Sequence, residues 1–287
     1  MFHPGQAPRF QICWLSSNSW YTKHLVPTDS RRLRVCAVSY LNTTPLVWGM
    51  LHGPQRGLFD LDFRVPAECA DALASGAADI GIVPSFELTR QDLEVLPGAG
   101  IASHGPVRSI LLISTCPAAE IRRLAADSSS RTSVQLARVV LERKYGANPE
   151  ITAHPPDVDA MLETADAALV IGDPALRIDP THVPFHVYDL GAEWEDMTRH
   201  PMVFAVWAGR KGLVSPAVVE AFRSSCHYGR ERMEEIVAAE SAARGFTAEL
   251  VREYLTRHIV HELGARDYAG MDLFLSYTEK KQCTPCF

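Results

Sequence analysis

Val35-Cys36-Ala37-Val38-Ser39-Tyr40-Leu41-Asn42-Thr43-Thr44-Pro45-Leu46-Val47-Trp48-Gly49-Met50-Leu51 is the stretch that decides the fold. Residues 35–40 form a short apolar run of strand length, and residues 45–51 read as a helix. Asn42, Thr43 and Thr44 are available to cap that helix, and Pro45 suits its first turn, where a missing N–H costs nothing. A strand passing directly into a helix is the opening unit of an α/β fold. Ser39, Tyr40, Asn42, Thr43 and Thr44 crowd hydroxyl or amide groups into this one turn, whereas a cap uses a single such group. The surplus points to ligand contact.

Outward from that turn the pattern continues. Phe59, Leu61, Phe63 and Val65 alternate with Asp60, Asp62 and Arg64, the period of a half-buried strand. Residues 68–75 read as a short helix stopped by Gly76, and residues 78–83 as a buried strand. Residues 110–114, 167–171 and 203–207 are further strands. Val134, Ala137, Val140 and Leu141 share one face of a helix whose Thr132 and Gln135 have capping-box spacing. Asp173-Pro174 reads as an N-cap followed by a first-turn proline. From Pro216 the pattern is helical, with long elements at 217–243 and 247–263 separated by Gly245. Alternating strands and helices predict an α/β architecture with mixed, mostly parallel sheets. No repeat or low-complexity linker interrupts it. Two lobes are therefore expected to be joined by ordinary strands crossing near residues 115 and 205, with 31–115 plus 206–287 in one lobe and 116–205 in the other.

Composition narrows the function. The 287 residues are 47% hydrophobic and 22% charged, an ordinary globular balance. A net charge of -6 argues against a nucleic-acid surface. No run approaches the ~20 apolar residues of a membrane span. Residues 1–30 read as an atypical, poorly ordered extension: the greasy piece at 10–15 is broken by Gln11, and Lys23, Arg31 and Arg32 follow it. That is not a secretory pattern, and a cytoplasmic location is expected. Seven scattered cysteines fit the same compartment, and Cys283 and Cys286 form a CxxC without a second pair.

There is no GxGxxG after a strand, no Walker A, no GxSxG and no HExxH. His258 and His261 lie three apart on a predicted helix without a third ligand, so no metal site is expected. Four segments stand out instead, at strand ends or helix starts, where open α/β sheets collect ligands. One is the turn at 39–46. In the second, 79–85, Ser85 follows a buried strand, while Asp79 at the opposite end reads as structural. The third, 103–109, holds a Gly105-Pro106 turn, His104 and Ser109. In the fourth, Ser128, Ser129 and Ser130 lead into Arg131, Thr132 and Ser133 at a helix start. Free amides and the helix dipole there favour an anion, and Arg131 could grip a carboxylate; the same features also serve a capped surface helix.

Together these segments resemble the chorismate dehydratases of the futalosine route to menaquinone. The resemblance runs from about Arg34 to Phe274 and is carried by SYLNTTPLVWG at 39–49, DIGIVPS at 79–85, SHGPVRSILLIS at 103–114, SSSRTSVQLARVVL at 128–141, ALVIGDPAL at 168–176 and MVFAVWAGR at 202–210. Where such proteins carry Thr-Gly-Leu-Pro, this chain has Thr198-Arg199-His200-Pro201, so that Arg199 replaces a glycine.

The resemblance implies a two-lobed type II periplasmic-binding-protein-like fold and removal of water from chorismate to give 3-[(1-carboxyvinyl)oxy]benzoate. By position it makes Asn42 and Ser109 catalytic, and makes Ser39, Tyr40, Thr43, Ser85, Ser129, Ser130, Arg131, Thr132, Ser133, Gly172 and Asp173 substrate-binding. It implies a small-molecule partner, chorismate, with no cofactor, and it sets no oligomeric state. A binding protein for a small carboxylate is one alternative. The sister 1,4-dihydroxy-6-naphthoate synthase is another, disfavoured because its Ser-Pro-Cys-Pro-Asn-Asp turn is missing at 39–46.

Overall fold

The computed structural model describes residues 31–279; the extension at 1–30 and the Cys283–Cys286 tail lie outside the described residues. The chain runs through β1 (Leu33–Val38), a single 3-10 turn at Leu41–Thr43, α1 (Thr44–His52), β2 (Phe59–Arg64), α2 (Pro66–Ala74), β3 (Ile80–Pro84) and β4 (Leu93–Ser103). There follow β5 (Ile110–Ser114), β6 (Arg123–Asp127), α3 (Arg131–Tyr145), β7 (Glu150–His154), α4 (Val158–Thr164), β8 (Ala167–Ile171), α5 (Gly172–Leu176), β9 (His186–Asp189) and α6 (Leu190–Thr198). The last part comprises β10 (Met202–Arg210), α7 (Pro216–Glu231), α8 (Met233–Arg244), α9 (Ala248–Glu253), a wide π-helical turn at Tyr254–His258, β11 (Val260–Glu262) and α10 (Ala265–Glu279).

These strands form two sheets, ordered β11-β4-β10-β3-β1-β2 and β7-β6-β8-β5-β9. Each sheet is the floor of one lobe. Because residues 110–114 pair in the second sheet and residues 202–205 in the first, the chain crosses at 104–109 and returns at 199–201, not near 115 and 205. Both sheets are mixed. β1 is parallel to β2 and β3, and β6 to β7 and β8, as strand–helix–strand units require. β4, β10 and β11, like β5 with β8 and β9, pair antiparallel, because the crossing strands run back against their neighbours.

Several boundaries differ from the sequence expectation. β4, over which no strand was expected, carries Pro97-Gly98 in its middle as a bulge, marked by the register shift against β10 between Val206 and Ala208. The helix expected over 247–263 is broken by the π-helical turn and by β11, an edge strand on β4. Thr132 and Gln135 do not form the capping box. Ser130 is the N-cap of α3 and accepts from the Ser133 N–H. Nor does Asp173 cap α5: the N-cap position is Ile171, without a side-chain bond, and Asp173 lies in the first turn.

The first lobe is tied by Asp79, just before β3, where β3 meets the start of β1 and the end of β10. Its carboxylate is buried and accepts from the Arg34 backbone N–H, the Arg34 guanidinium and Arg210. Burial alone would raise this carboxyl, but the two arginines more than offset it and hold it well below the usual carboxylate range. The structural role expected for Asp79 follows from these bonds. α1 is seated against α7 at small residues: a Cβ on Gly229 would stand 2.2 Å from the Pro45 carbonyl oxygen, and Ser225 Oγ donates to the Leu46 carbonyl at 2.8 Å. That close crossing fixes the helix whose first residues face the second lobe.

Arg199 closes α6 at φ 62°, in the left-handed region, and its N–H still reaches the Glu195 carbonyl at 2.7 Å. The loop thus takes the path a glycine would give it, at a cost of about 1–2 kcal/mol for the Cβ. Arg108 also sits in the left-handed region, at φ 65°, next to Ser109. Its N–H is held by Asp189 Oδ2 at 2.6 Å, and its guanidinium donates to the Ile178 carbonyl at 2.6 Å.

Candidate active site

A cavity of about 50 Å3 lies where the lobes meet. The first lobe contributes Val38, Tyr40, Asn42, Thr43, Pro66, Ile82, Pro84, Ile101, Phe204 and Ala205; the crossing and the second lobe contribute Val107, Ser109, Ile110, Ser130, Ser133, Ile171 and Gly172. Its walls are apolar aliphatics and one phenylalanine, with polar groups confined to hydroxyls, one amide and backbone. No aspartate, glutamate, histidine, lysine or arginine lines it.

Three helices of eight residues or more begin at this cavity. Thr43 precedes α1, Pro66 opens α2, and Ser130 and Ser133 belong to the first turn of α3. Helix starts carry unsatisfied N–H groups and a partial positive charge, so their convergence favours an anion without a side-chain cation. In the turn at 39–46, Thr43 holds the N-cap position but makes no side-chain cap bond. The hydroxyl and amide groups there are not used up by capping. Thr43 Oγ1 donates to Asn42 Oδ1 at 3.4 Å.

Asn42 and Ser109 are brought together by Tyr254 and His261, neither of them among the expected site residues. The Tyr254 hydroxyl, buried and next to both side chains, donates to Ser109 Oγ at 2.8 Å. Burial pushes this phenol above its ordinary value, so it keeps its proton. His261 Nε2 meets the Asn42 carbonyl at 2.9 Å, and since a carbonyl only accepts, Nε2 carries the hydrogen. Desolvation lowers this imidazole from 6.5 to about 4. The Ser109 carbonyl accepts from the Gly172 N–H at 2.8 Å. The only signal for Tyr254 was its place in an apolar, helix-like pattern, and His261 was weighed only as half of a metal-like pair with His258.

Of the expected site residues, Tyr40, Asn42, Thr43, Ser109, Ser130, Ser133 and Gly172 meet at the cavity. The others do not line it. Ser85 and Thr132 are fully buried: Ser85 Oγ donates to the Val203 carbonyl at 2.8 Å, and Thr132 Oγ1 accepts from the Phe86 N–H at 3.0 Å. Arg131 holds no open grip for a carboxylate, because Asp71 at 2.8 Å and Glu87 at 3.2 Å already occupy its guanidinium. Asp173 accepts from the Leu41 N–H at 2.9 Å and pairs with Arg244. Ser39 is exposed and gives its carbonyl to Arg244 at 2.9 Å. Ser129 meets the Tyr40 hydroxyl at 3.1 Å, and its carbonyl accepts from the Ala67 N–H at 2.8 Å. Each of these bonds except those of Ser39 and Ser85 ties one lobe to the other, so these residues hold the lobes shut over the cavity.

His104 is half exposed and pairs with Asp267 at 2.7 Å, away from the cavity lining. His258 Nδ1 contacts the Pro106 carbonyl at 3.0 Å, so His258 and His261 face different partners. Among the described residues no three His, Cys, Asp or Glu side chains cluster as metal ligands, and no helix is long and apolar enough to cross a membrane.

Residues 33–280 match the sequence model of a family described as menaquinone biosynthesis. The chain belongs to the menaquinone biosynthesis family. A protein of this kind from Thermus thermophilus, named chorismate dehydratase, is 32% identical over 228 residues, which span 73% of this chain and 83% of that protein. Among solved structures, a protein from Archaeoglobus fulgidus superimposes with a TM-score of 0.72 at 17% identity, covering 89% of this chain and 100% of that one. The periplasmic aliphatic sulphonate binding protein SsuA from Escherichia coli gives 0.60 at 16% identity, covering 89% of each chain. A Candida albicans protein described as having the generic periplasmic binding protein fold gives 0.60 at 14%, covering 87% and 90%. These likenesses show the fold: this member of the menaquinone biosynthesis family has the two-lobed periplasmic-binding-protein architecture expected for it.

Proposed function

We propose that the protein is a carbon–oxygen lyase that dehydrates chorismate to 3-[(1-carboxyvinyl)oxy]benzoate. The observation that carries this reading is the cavity lining: helix starts and hydroxyls suited to an anion, with no carboxylate, imidazole, lysine or arginine among them. The relative named chorismate dehydratase supports the same substrate. Chorismate is a dianion whose ring becomes aromatic on losing the C3 proton and the C4 hydroxyl. The reaction is therefore downhill and calls for no metal, nucleotide or redox cofactor. The protein has to orient the substrate and stabilise charge in a dry site.

A proton acceptor is still required. His104 and Asp173 are both engaged outside the lining, by Asp267 and by Leu41 with Arg244. The enolpyruvyl carboxylate of chorismate lies close to C3 and serves as the acceptor. Asn42 and Ser109 hold that arm and donate hydrogen bonds as the hydroxyl leaves. Tyr40, Thr43, Ser130, Ser133 and Gly172 complete the contact surface, while Ser39, Ser85, Ser129, Arg131, Thr132 and Asp173 act through the frame. A cavity of about 50 Å3 is far below the ~300 Å3 of a small-ligand pocket, so the lobes part to admit substrate. A lyase acting on a biosynthetic intermediate works where that intermediate is made, and we assign it to the cytoplasm.

Incubating pure protein with chorismate and separating the products by chromatography tests the reading. The aromatic enol ether should accumulate and chorismate disappear. Chorismate bound but recovered unchanged would instead describe a carboxylate-binding protein.

A further inference from the structure

Taking chorismate dehydration as the reaction, we propose that Tyr254 is a positioning residue that fixes Ser109 as a hydrogen-bond donor toward the substrate. A serine hydroxyl has one proton and two lone pairs. Tyr254 donates to Ser109 Oγ at 2.8 Å and so occupies a lone pair. The serine's own proton is then left to point elsewhere; among the described residues its hydroxyl makes no second hydrogen bond, and it lines the cavity, where an occupant can accept that proton. The serine backbone cannot turn away, since its carbonyl is held by the Gly172 N–H and its neighbour Arg108 is locked by Asp189.

The phenol is suited to this role. It is buried, as is Ser109, and it contacts the Asn42 side chain as well. Desolvation raises the phenol and so keeps its proton in place for donation to Ser109. Without it, the Ser109 hydroxyl could rotate and accept from substrate donors as readily as it gives to the departing oxygen. A donor aimed where charge develops is what the reaction uses.

The local backbone is built for this placement. Tyr254 opens the π-helical turn, closed by the Ile259 N–H on the Tyr254 carbonyl at 3.2 Å. Such wide turns are rare and recur at functional sites. His258 pins the turn to the Pro106 carbonyl in the crossing segment, and His261, just beyond it, holds the Asn42 carbonyl. One short segment therefore reaches both residues proposed to act on the substrate.

Steady-state kinetics of Tyr254→Phe test the role. We expect kcat to fall about 10–100-fold with KM within about threefold, because the lost effect belongs to the transition state. Ser109→Ala combined with Tyr254→Phe should be slower than Ser109→Ala alone by no more than about threefold, since the tyrosine acts mainly through that serine. A Tyr254→Phe enzyme within about twofold of wild-type kcat, or losses that multiply in the double variant, would overturn the role. If Tyr254→Phe does not fold, 3-fluorotyrosine at position 254 retains the hydroxyl and strengthens its donation. Wild-type or higher kcat is then expected, and a tenfold fall would overturn the role. Wild-type protein that leaves chorismate unchanged overturns the reaction itself, which separates that failure from failure of Tyr254 alone.

Discussion

The Tyr40 ring lies directly against the Gly172 backbone across the cleft: a Cβ added to Gly172 would stand 2.6 Å from Cδ2 and Cε2 of Tyr40. Gly172 also has φ +63°, a left-handed conformation that costs a side-chain-bearing residue about 1–2 kcal/mol. The two penalties fall on different states. The backbone strain is present whenever the second lobe is folded, whereas the clash with Tyr40 is relieved if the lobes stay apart.

Gly172→Ala should therefore lose closure more than stability. The expected result is a drop of about 1–2 kcal/mol in unfolding free energy and a fall of at least about tenfold in kcat/KM. Denaturant unfolding and steady-state kinetics on the same preparation check both numbers. Normal activity would mean that Tyr40 and Gly172 do not meet in the productive state.

Arg131 should affect the enzyme through lobe closure and not by gripping substrate. It joins Asp71 of α2 and Glu87 of the first lobe to the start of α3, and Glu87 is almost wholly buried. Arg131→Ala removes one partner of a buried carboxylate that keeps Arg90 and Gln91, a loss of roughly 1–3 kcal/mol. KM should rise with kcat largely preserved, and Glu87→Gln should reproduce the change to within about twofold. If Arg131→Ala weakens substrate binding and Glu87→Gln does not, the arginine touches the ligand after all.

Acid should destabilise the fold above the range where carboxylates titrate. His261 has a folded value of about 4 against 6.5 unfolded, because burial penalises its charged form. Between those values the unfolded chain binds the proton and the folded chain does not, so stability is full above 6.5 and is lost as pH falls toward 4. From pH 7 to pH 5 the loss from this one residue is roughly 2 kcal/mol. Urea unfolding at the two pH values should show it, and His261→Gln, whose amide can still donate to the Asn42 carbonyl, should largely remove it. An equal acid loss in His261→Gln would assign the effect to another group.

Much of the frame was readable because local chemistry and tertiary role agree. Strand β5 and strand β8 lie at the predicted residues, and the turn after β1 puts Tyr40, Asn42 and Thr43 at the cavity because ligands collect where strands end and helices begin. Ser85, Arg131, Thr132 and Asp173 also sit at such ends, but their polar groups are spent on neighbours from distant segments, and sequence spacing carries no information about those partners. β4, bent by a bulge at Pro97-Gly98, had no strand expected over it, and the run from 247 imitates one helix although a π-helical turn and an edge strand divide it. Tyr254 was hidden by that imitation, and His261 was weighed only for metal binding, since a helix period predicts a face and not a partner.

The central claim is that a cavity lined by no carboxylate, histidine, lysine or arginine dehydrates chorismate by using the substrate's own carboxylate as base. Turnover of Asn42→Ala measured beside His104→Ala tests it most directly, with circular dichroism to confirm that both are folded. His104 pairs with Asp267 outside the cavity lining, so its variant should keep substantial turnover. Asn42→Ala should lose most of it, by about 100-fold or more, since it removes an oriented donor in a dry site. If His104→Ala abolishes turnover while chorismate still binds and Asn42→Ala remains active, the base is a protein side chain and the substrate-assisted reaction is wrong.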